Sequence, residues 1–188
     1  MSNSKFFLAL IVSIISLNGC AVVMKSDYQP HAAEPTADVR LIADSDSTGM
    51  MGRHYSVLLS RDNMCTRGRM VELGGKLIAE AHEELPAVAI PATGPISLAV
   101  IYREGRFGQQ RSCANVVSFA PLPGHSYNLS FRVTDQSMRC AILATDSQHG
   151  VLNSLPSDNC IVQRGQGGTP VPNGTALITQ TKIQFIRD

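Results

Sequence analysis

The sequence predicts an all-β protein, an antiparallel β-sandwich of about seven to eight strands. Short segments that alternate apolar and polar residues follow one another, separated by turns rich in Gly and Pro, which is typical of sandwiches and barrels. The clearest segment, Ser126–Thr134, alternates without interruption, so one face packs on a core and the other meets water. No helix-period segment of useful length competes with these strands.

The N-terminal segment, residues 1–19, predicts a secretory signal peptide. Lys5 is followed by an apolar run from Phe6 to Leu17, and Gly19 precedes Cys20. A short cationic head, an apolar stretch of about 7–15 residues and a small residue at the cleavage site are typical of such a signal. The run is shorter than the roughly 20 residues that span a bilayer. We therefore expect the chain to leave the cytosol.

The sequence Leu17-Asn18-Gly19-Cys20 resembles the lipobox of bacterial lipoproteins. The resemblance implies that residues 1–19 are removed, that Cys20 carries a diacylglycerol group, and that the new N-terminus is acylated, for example with palmitate. Ala21 follows the cysteine, which by resemblance to Gram-negative lipoproteins favours the cell outer membrane. One myristoyl chain binds a membrane only reversibly, whereas three acyl chains would make this attachment effectively permanent. Exposure on the periplasmic or the surface face stays open.

Residues 20–37 predict a lipidated flexible tether, because they contain Pro30, Pro35 and several Ala without a sustained period. The β-sandwich domain then spans residues 38–188. Its clearest strands are predicted at Tyr55–Leu59, Ile96–Tyr102, Cys113–Phe119 and Ser126–Thr134. Weaker strands are predicted at 38–43, 76–81, 87–90, 138–145 and 176–187, with turns at 121–124 and 135–137 and a loop at 161–175.

The composition argues against several functions. Lys5 is the basic residue of the signal segment, and its removal leaves fifteen basic and fifteen acidic residues, so nothing global draws the mature chain to nucleic acid. Trp is absent and aromatic residues make up 5% of the chain, which argues against a stacking platform for bases or sugars. We predict no cofactor, and a membrane contact through the lipid at Cys20.

The cysteines predict two disulfides. An even number of cysteines in an exported chain favours disulfides over free thiols. The spacing contains no Cys-x-x-Cys pair, so neither a zinc knuckle nor a thioredoxin-type redox site is indicated. The four cysteines besides Cys20 are Cys65, Cys113, Cys140 and Cys160.

The predicted strands constrain how these cysteines pair. If residues 113–120, 126–134 and 138–145 form a meander, Cys113 and Cys140 lie two strand spacings apart, about 9.6 Å. A disulfide needs Cα atoms within about 7 Å, so this pair is disfavoured. We prefer Cys65–Cys113 with Cys140–Cys160, while Cys65–Cys140 with Cys113–Cys160 stays open.

Three segments resemble the small prealbumin-like (transthyretin-like) or PEGA-type domains of the cell envelope. They carry, in order, a strand with a Gly-Lys turn, a Pro-x-Gly turn before a strand, and a Gly-x-x-Tyr strand entry. These segments are Val71–Ala79, Ala89–Val100 and Phe119–Tyr127. The resemblance covers roughly residues 56–145 and rests on turn chemistry. It implies a sandwich fold and a binding or structural role, and carries over no functional residue.

Seven arginines surround two of the cysteines and predict an anion-binding patch. If Cys65 bonds Cys113, the seven arginines, offset by Asp62 and Glu104, gather about five net positive charges at one end of the sandwich. Guanidinium groups suit phosphate or carboxylate partners. The residues are Arg53, Arg61, Arg67, Arg69, Arg103, Arg106 and Arg111. The alternative is that they are ordinary solvated arginines paired with Glu72, Glu80, Glu83 and Glu84.

Other patterns predict little chemistry. Asp44-Ser45-Asp46-Ser47-Thr48 has the form of the nucleophile loop of haloacid-dehalogenase-type phosphatases, in which Asp44 would be nucleophile and Asp46 general acid and base. That enzyme also needs a parallel sheet with crossover helices and a later acidic pair, which the sequence does not show. The alternative interpretation of Asp44–Thr48 is a polar turn after a strand. The histidines at 31, 54, 82, 125 and 149 have no ligand spacing, so no metal site is predicted.

The sequence therefore favours a lipid-anchored envelope protein that acts as a non-enzymatic binding or scaffold module. Its partner would be an anionic envelope component or another envelope protein, reached through loops at one end. The alternatives are an envelope phosphatase that uses Asp44 and Asp46, and a structural subunit of a secretion or surface-assembly complex.

Overall fold

The computed structural model describes residues 23–24, 28–48, 52–65, 70–157 and 159–180. The signal segment, the predicted lipid site Cys20 and the patch residues Arg67 and Arg69 lie outside these ranges. Within them the chain is almost entirely β, which confirms the predicted fold class.

Twelve strands and one 3-10 turn, Gln166–Gly168, are formed by the described residues. Eight strands have five or more residues, and four shorter ones raise the number above the predicted seven to eight. The strands are β1 Val23–Met24, β2 Thr36–Ser45, β3 Arg53–Ser60, β4 Val71–Ala79, β5 His82–Glu84, β6 Val88–Pro91, β7 Ile96–Arg106, β8 Gln109–Phe119, β9 Ser126–Thr134, β10 Arg139–Asp146, β11 Gly150–Val151 and β12 Ala176–Gln180.

The strands form two sheets that pack face to face as a sandwich. Sheet A has the order β1-β4-β3-β7-β8-β12, and sheet B has the order β11-β10-β9-β2-β5, with β6 also paired to β2. The pairs are antiparallel except for β2 and β9, which run parallel with Asp38 opposite Ser126. The predicted antiparallel sandwich therefore contains one parallel pair.

The main core lies between the sheets and follows the predicted alternation. Leu129, Phe131 and Val133 of β9 are each 1% exposed or less, and β7 buries Leu98 and Val100 from the other sheet. Burying an aliphatic or aromatic side chain of this size stabilises a fold by about 1.5–3 kcal/mol. The period-two pattern of the sequence therefore produces the sandwich.

A second, smaller apolar cluster covers the outer face of sheet A. Ala99 and Val116 are buried there against Cys160, with Leu58 and Val162 packed at the margin. The covering chain runs after β11, and the Leu155 amide donates to the Ser118 carbonyl at 2.7 Å. The loop predicted at 161–175 is thus part of an outer layer over sheet A.

The cysteines form two disulfides, as predicted, but with different partners. Cys65 bonds Cys160, with Cα atoms 5.1 Å apart, and Cys113 bonds Cys140, with Cα atoms 6.1 Å apart. The structure contains the pair that the strand spacing disfavours, Cys113–Cys140, and both predicted pairings are wrong. The error lies in the assumed meander, because β8 belongs to sheet A whereas β9 and β10 belong to sheet B. Residues 120–125 cross between the sheets, so Cys113 faces Cys140 across the core.

The described part of the segment predicted as a tether contacts the sandwich. The backbone of Val23 pairs with Lys76, Tyr28 packs against the main core, and Ala37 is 3% exposed within β2. The first long strand thus begins two residues before the predicted domain boundary at Asp38. Across the described ranges, no helix has the length and hydropathy of a membrane span.

Candidate functional site

The most unusual polar group in the core is the carboxylate of Glu104, which is 1% exposed. It lies near the end of β7, in the same period-two register that turns Leu98, Val100 and Tyr102 inward. A buried charge is costly unless hydrogen bonds and an opposite charge compensate it. The surroundings of Glu104 supply both.

Four donors reach the Glu104 carboxylate. The hydroxyl of Tyr102 donates to Oε2 at 2.6 Å, and the hydroxyl of Ser137 donates to the same atom at 3.1 Å. The hydroxyl of Ser47 also donates to Oε2, and Nε of Arg106 forms an ion pair with Oε1. We call these five residues the Glu104 cluster. Its members come from β7, the segment after β2, the β7–β8 hairpin and the β9–β10 turn.

The cluster fastens three loops at one end of the sandwich. Nη2 of Arg106 donates to the Gln136 carbonyl at 3.1 Å, and Nη1 of Arg111 donates to the same carbonyl at 2.5 Å. Gln136 in turn donates from Nε2 to the Asp46 carbonyl at 2.9 Å. We define the loop end as residues 46–48, 105–108 and 135–138.

The β9–β10 turn within the loop end has a strained backbone. Asp135, Gln136 and Ser137 all have positive φ angles, of 56°, 52° and 68°. Non-glycine residues adopt this left-handed conformation rarely, at a cost of order 1–3 kcal/mol each, and such strain tends to occur at functional sites. The bonds from Ser137 and Gln136 to the rest of the loop end offset that cost.

The hydrogen bonds keep Glu104 ionised. Burial alone would raise the pKa of Glu104, but the hydrogen bonds from Ser47, Tyr102, Arg106 and Ser137 outweigh it and hold the pKa below the ordinary value. Burial, and then the bond to Glu104, raise the pKa of Tyr102 to about 12, so its hydroxyl stays a donor. The cluster is therefore a fixed arrangement of one anion, its cation and three hydroxyl donors.

This ionisation predicts an acid-dependent stability. Because the pKa of Glu104 is lower in the folded chain, its stabilising contribution is complete above the unfolded value near 4.5 and is lost as the pH falls below it. The free energy of unfolding of Glu104→Gln should therefore lie well below that of the wild type at pH 7, and the gap should narrow toward pH 3. Urea denaturation at several pH values measures this difference in the free energy of unfolding. A difference that does not change with pH would contradict a buried, ionised Glu104.

Two neighbouring tyrosines provide a matched test of the cluster. Tyr55 and Tyr102 are both fully buried on paired strands, with ring centroids 5.2 Å apart. Tyr102 donates to Glu104, whereas the hydroxyl of Tyr55 has no hydrogen-bond partner among the described residues. We expect Tyr102→Phe to lower the free energy of unfolding by about 1.5–3 kcal/mol and Tyr55→Phe to be neutral or stabilising. Equal losses in urea denaturation would argue against the cluster.

The loop end carries an exposed aromatic side chain. Phe107, at the tip of the β7–β8 hairpin, is 92% exposed. It follows Arg106 of the cluster and precedes Gly108, whose φ of 70° closes the hairpin. Aromatic side chains, Phe included, and Arg are enriched in protein–protein interfaces relative to the rest of the surface. A rigid loop end that presents Phe107 is therefore suited to contact another molecule.

The predicted anion-binding patch is divided by the structure. Arg61, at the Ser97 end of sheet A, forms an ion pair with Glu34 at 2.6 Å and lies over the Tyr28 ring. Arg106 lies in the loop end, at the other end of the same sheet, and Arg111 of β8 donates to the loop end there. Arg103 is exposed and lines a groove of about 620 Å³ on the outer face of sheet A. The patch depended on a bond between Cys65 and Cys113, which does not form.

The two aspartates of the predicted phosphatase loop have separate partners. Oδ1 of Asp44 lies 2.7 Å from Nδ1 of His82, and this pair is exposed. Oδ1 of Asp46 accepts the Gln136 amide at 3.1 Å, which places it in the loop end. The hydrogen bond to Asp44 raises the pKa of His82.

Sequence reasoning missed a cluster of three titratable residues at the opposite end of sheet B. His125 directly precedes β9, Asp146 ends β10 and His149 lies in the turn to β11. Burial opposes it, but hydrogen bonds from the Gln148 amide and from both histidines lower the pKa of Asp146 to about 2. We call these three residues the His–Asp–His cluster. Pairing of β9 with β10 brings His125 to Asp146, and the turn after β10 places His149 three residues beyond Asp146, so the spacing of the histidines alone shows no ligand pattern.

Comparison with known proteins adds no relative to this description. No protein-family model matches the chain, and no curated protein or solved structure matches it either.

Proposed function

We infer that the chain is a lipid-anchored protein of the cell envelope that acts as a non-enzymatic binding or scaffold module for another envelope protein. The loop end is the binding surface. The observation that carries this proposal is the buried carboxylate of Glu104, which accepts hydrogen bonds from three separate loops. The cluster uses a costly buried charge to hold surface loops in one conformation.

A pre-ordered surface favours binding for a physical reason. Loops that are already fixed lose less conformational entropy on association than flexible loops do. Phe107 offers a large apolar side chain, and Arg111 lies four residues further along the same hairpin, on β8. A partner with an apolar pocket and acceptor groups around its rim would complement both. The lone aromatic among polar groups favours a protein over a lipid surface.

The proposed location in the cell envelope rests on two features of the chain. The Leu17–Cys20 motif resembles a lipobox, and disulfides such as the two described here persist in oxidising compartments outside the cytosol. Metabolic labelling with radioactive palmitate should mark the wild type and leave Cys20→Ala unmarked. Equal labelling of both proteins would contradict the lipid anchor at this residue.

Photo-crosslinking in intact cells tests the binding surface. p-Benzoylphenylalanine at position 107 should give one discrete protein adduct. The matched control places the same group at Val151, which is 67% exposed at the other end of sheet B and should give none. Adducts of equal yield from both positions, or adducts to lipid alone, would overturn the proposal.

A further inference from the structure

Two imidazoles converge on one carboxylate oxygen in the His–Asp–His cluster. Nδ1 of His125 lies 2.8 Å from Oδ2 of Asp146, and Nδ1 of His149 lies 3.5 Å from the same atom. The two rings are parallel within 6°, with centroids 5.3 Å apart. One ligand atom from each residue can be chosen so that all three lie within 4.8 Å of one another. Three good metal-ligand groups therefore face a common point.

The backbone around this point is fixed by hydrogen bonds. Oδ1 of Asp146 accepts the Gln148 amide at 2.7 Å, which leaves Oδ2 directed toward the imidazoles. The His125 carbonyl accepts the Asp38 amide at 2.9 Å, and the Ser147 amide donates to the Ser126 carbonyl at 2.9 Å. Two of the three ligand-bearing segments are thus held by β2 and β9. Such orienting contacts typically support the ligands of a metal site.

The cluster is also reachable from solvent on one side. The side chain of Asp146 is 2% exposed and that of His125 is 17% exposed, while that of His149 is 63% exposed. The buried pair forms the floor of the site, and the exposed imidazole can rotate onto an ion that enters. The three ligand atoms lie within 4.8 Å of one another. Rotation of the exposed imidazole has to shorten the widest separation by about 1.5 Å to reach the distance between two ligands of a tetrahedral Zn²⁺ ion.

We propose that the His–Asp–His cluster binds one divalent first-row metal ion, with Zn²⁺ as the best match. Bonds of about 2.0–2.2 Å from Zn²⁺ to imidazole nitrogen and carboxylate oxygen place tetrahedral ligands about 3.3 Å apart. The distances of 2.8 Å and 3.5 Å bracket that value. Two nitrogens and one oxygen favour Zn²⁺ over Ca²⁺ or Mg²⁺, which prefer oxygen ligands. Three protein ligands leave one position for water or for a donor from another molecule.

The chain contains a natural comparison for this site. His82 and Asp44 form an exposed pair at 2.7 Å, and no second imidazole joins them among the residues that the structure describes. A single imidazole beside a carboxylate is an ordinary hydrogen-bonded pair. The His–Asp–His cluster differs from it in its second imidazole, its buried carboxylate and its fixed backbone.

Calorimetric titration of the untagged full-length protein in detergent with Zn²⁺ tests the proposal. We expect one ion per chain with a dissociation constant in the micromolar range or tighter, and no binding of Mg²⁺. At a free Zn²⁺ concentration of about 100 times that constant, the melting temperature should rise by about 5–10 °C. No heat of binding at the wild type would overturn the proposal.

Three variants locate the ion. His149→Ala changes an exposed side chain, and Asp146→Asn keeps an oxygen that can accept the Gln148 amide; each should weaken Zn²⁺ binding at least about tenfold. His82→Ala should leave it unchanged. Melting temperatures in excess chelator show whether each variant is folded. Binding that survives in both cluster variants, or that is lost equally in His82→Ala, would overturn the assignment.

Discussion

Replacing Glu104 by alanine is expected to lower the free energy of unfolding by about 3–5 kcal/mol. The substitution removes the acceptor of four hydrogen bonds and leaves Arg106 without its counter-ion in a largely buried position. Removing one partner of a buried pair costs about this much, because the other charge stays desolvated. The loss of stability is limited because the Arg106 side chain is 21% exposed and can turn toward water. Urea denaturation at pH 7 measures the change.

The matched control for this prediction is Glu84→Ala. Glu84 forms an ion pair with Arg40 on the surface, where both side chains are about half exposed. Exposed ion pairs contribute roughly 0–1 kcal/mol, so this variant should stay close to the wild type. Similar losses in Glu104→Ala and Glu84→Ala would show that the Glu104 carboxylate is solvated rather than bound within the cluster.

Opening the Cys113–Cys140 disulfide is expected to lower the free energy of unfolding by about 4 kcal/mol. The bond closes a separation of 27 residues, for which the chain-entropy estimate is about 3–4 kcal/mol. Both residues also lie in the main core, so their truncation to alanine removes packed sulfur atoms. The double variant Cys113→Ala and Cys140→Ala tests this in urea.

The second disulfide provides the comparison. Cys65–Cys160 closes a separation of 95 residues, so its removal should cost about 4–5 kcal/mol by the same estimate. The variants should differ in where amide protection is lost. Without Cys65–Cys160, the largest acceleration of exchange should lie in the outer layer that carries Cys160 and Val162. Loss of Cys113–Cys140 should accelerate exchange in both sheets, and exchange confined to the outer layer would contradict its position.

The alternation of apolar and polar residues predicted where the strands lie better than it predicted which strands pair with one another. The segment Ser126–Thr134 forms β9 with the predicted residues inward, because a period of two directly reports which face is buried. The same period contains no information about which sheet a strand joins. The crossing at residues 120–125 therefore went unrecognised, and the error passed directly into the cysteine pairing.

The candidate site shows the same limit. Glu104 continues the inward register of Tyr102, but a charged residue ordinarily ends a buried stripe, so the prediction stopped before it. The register itself was the signal that could have identified it. Ser47 and Ser137, its donors from other segments, lie 57 and 33 residues away, and their approach depends on the packing of the two sheets. His125 and Asp146 likewise meet only because β9 pairs with β10.

The most direct test of the account is the crosslink from position 107 measured in the Glu104→Gln background. Glutamine keeps the size of the side chain but removes the charge that organises the loop end, so the yield of the partner adduct should fall several-fold. Both disulfides should remain oxidised, and adduct yields are compared at equal amounts of folded protein because the variant is less stable. An adduct of undiminished yield would show that the Glu104 cluster does not prepare this surface for a partner.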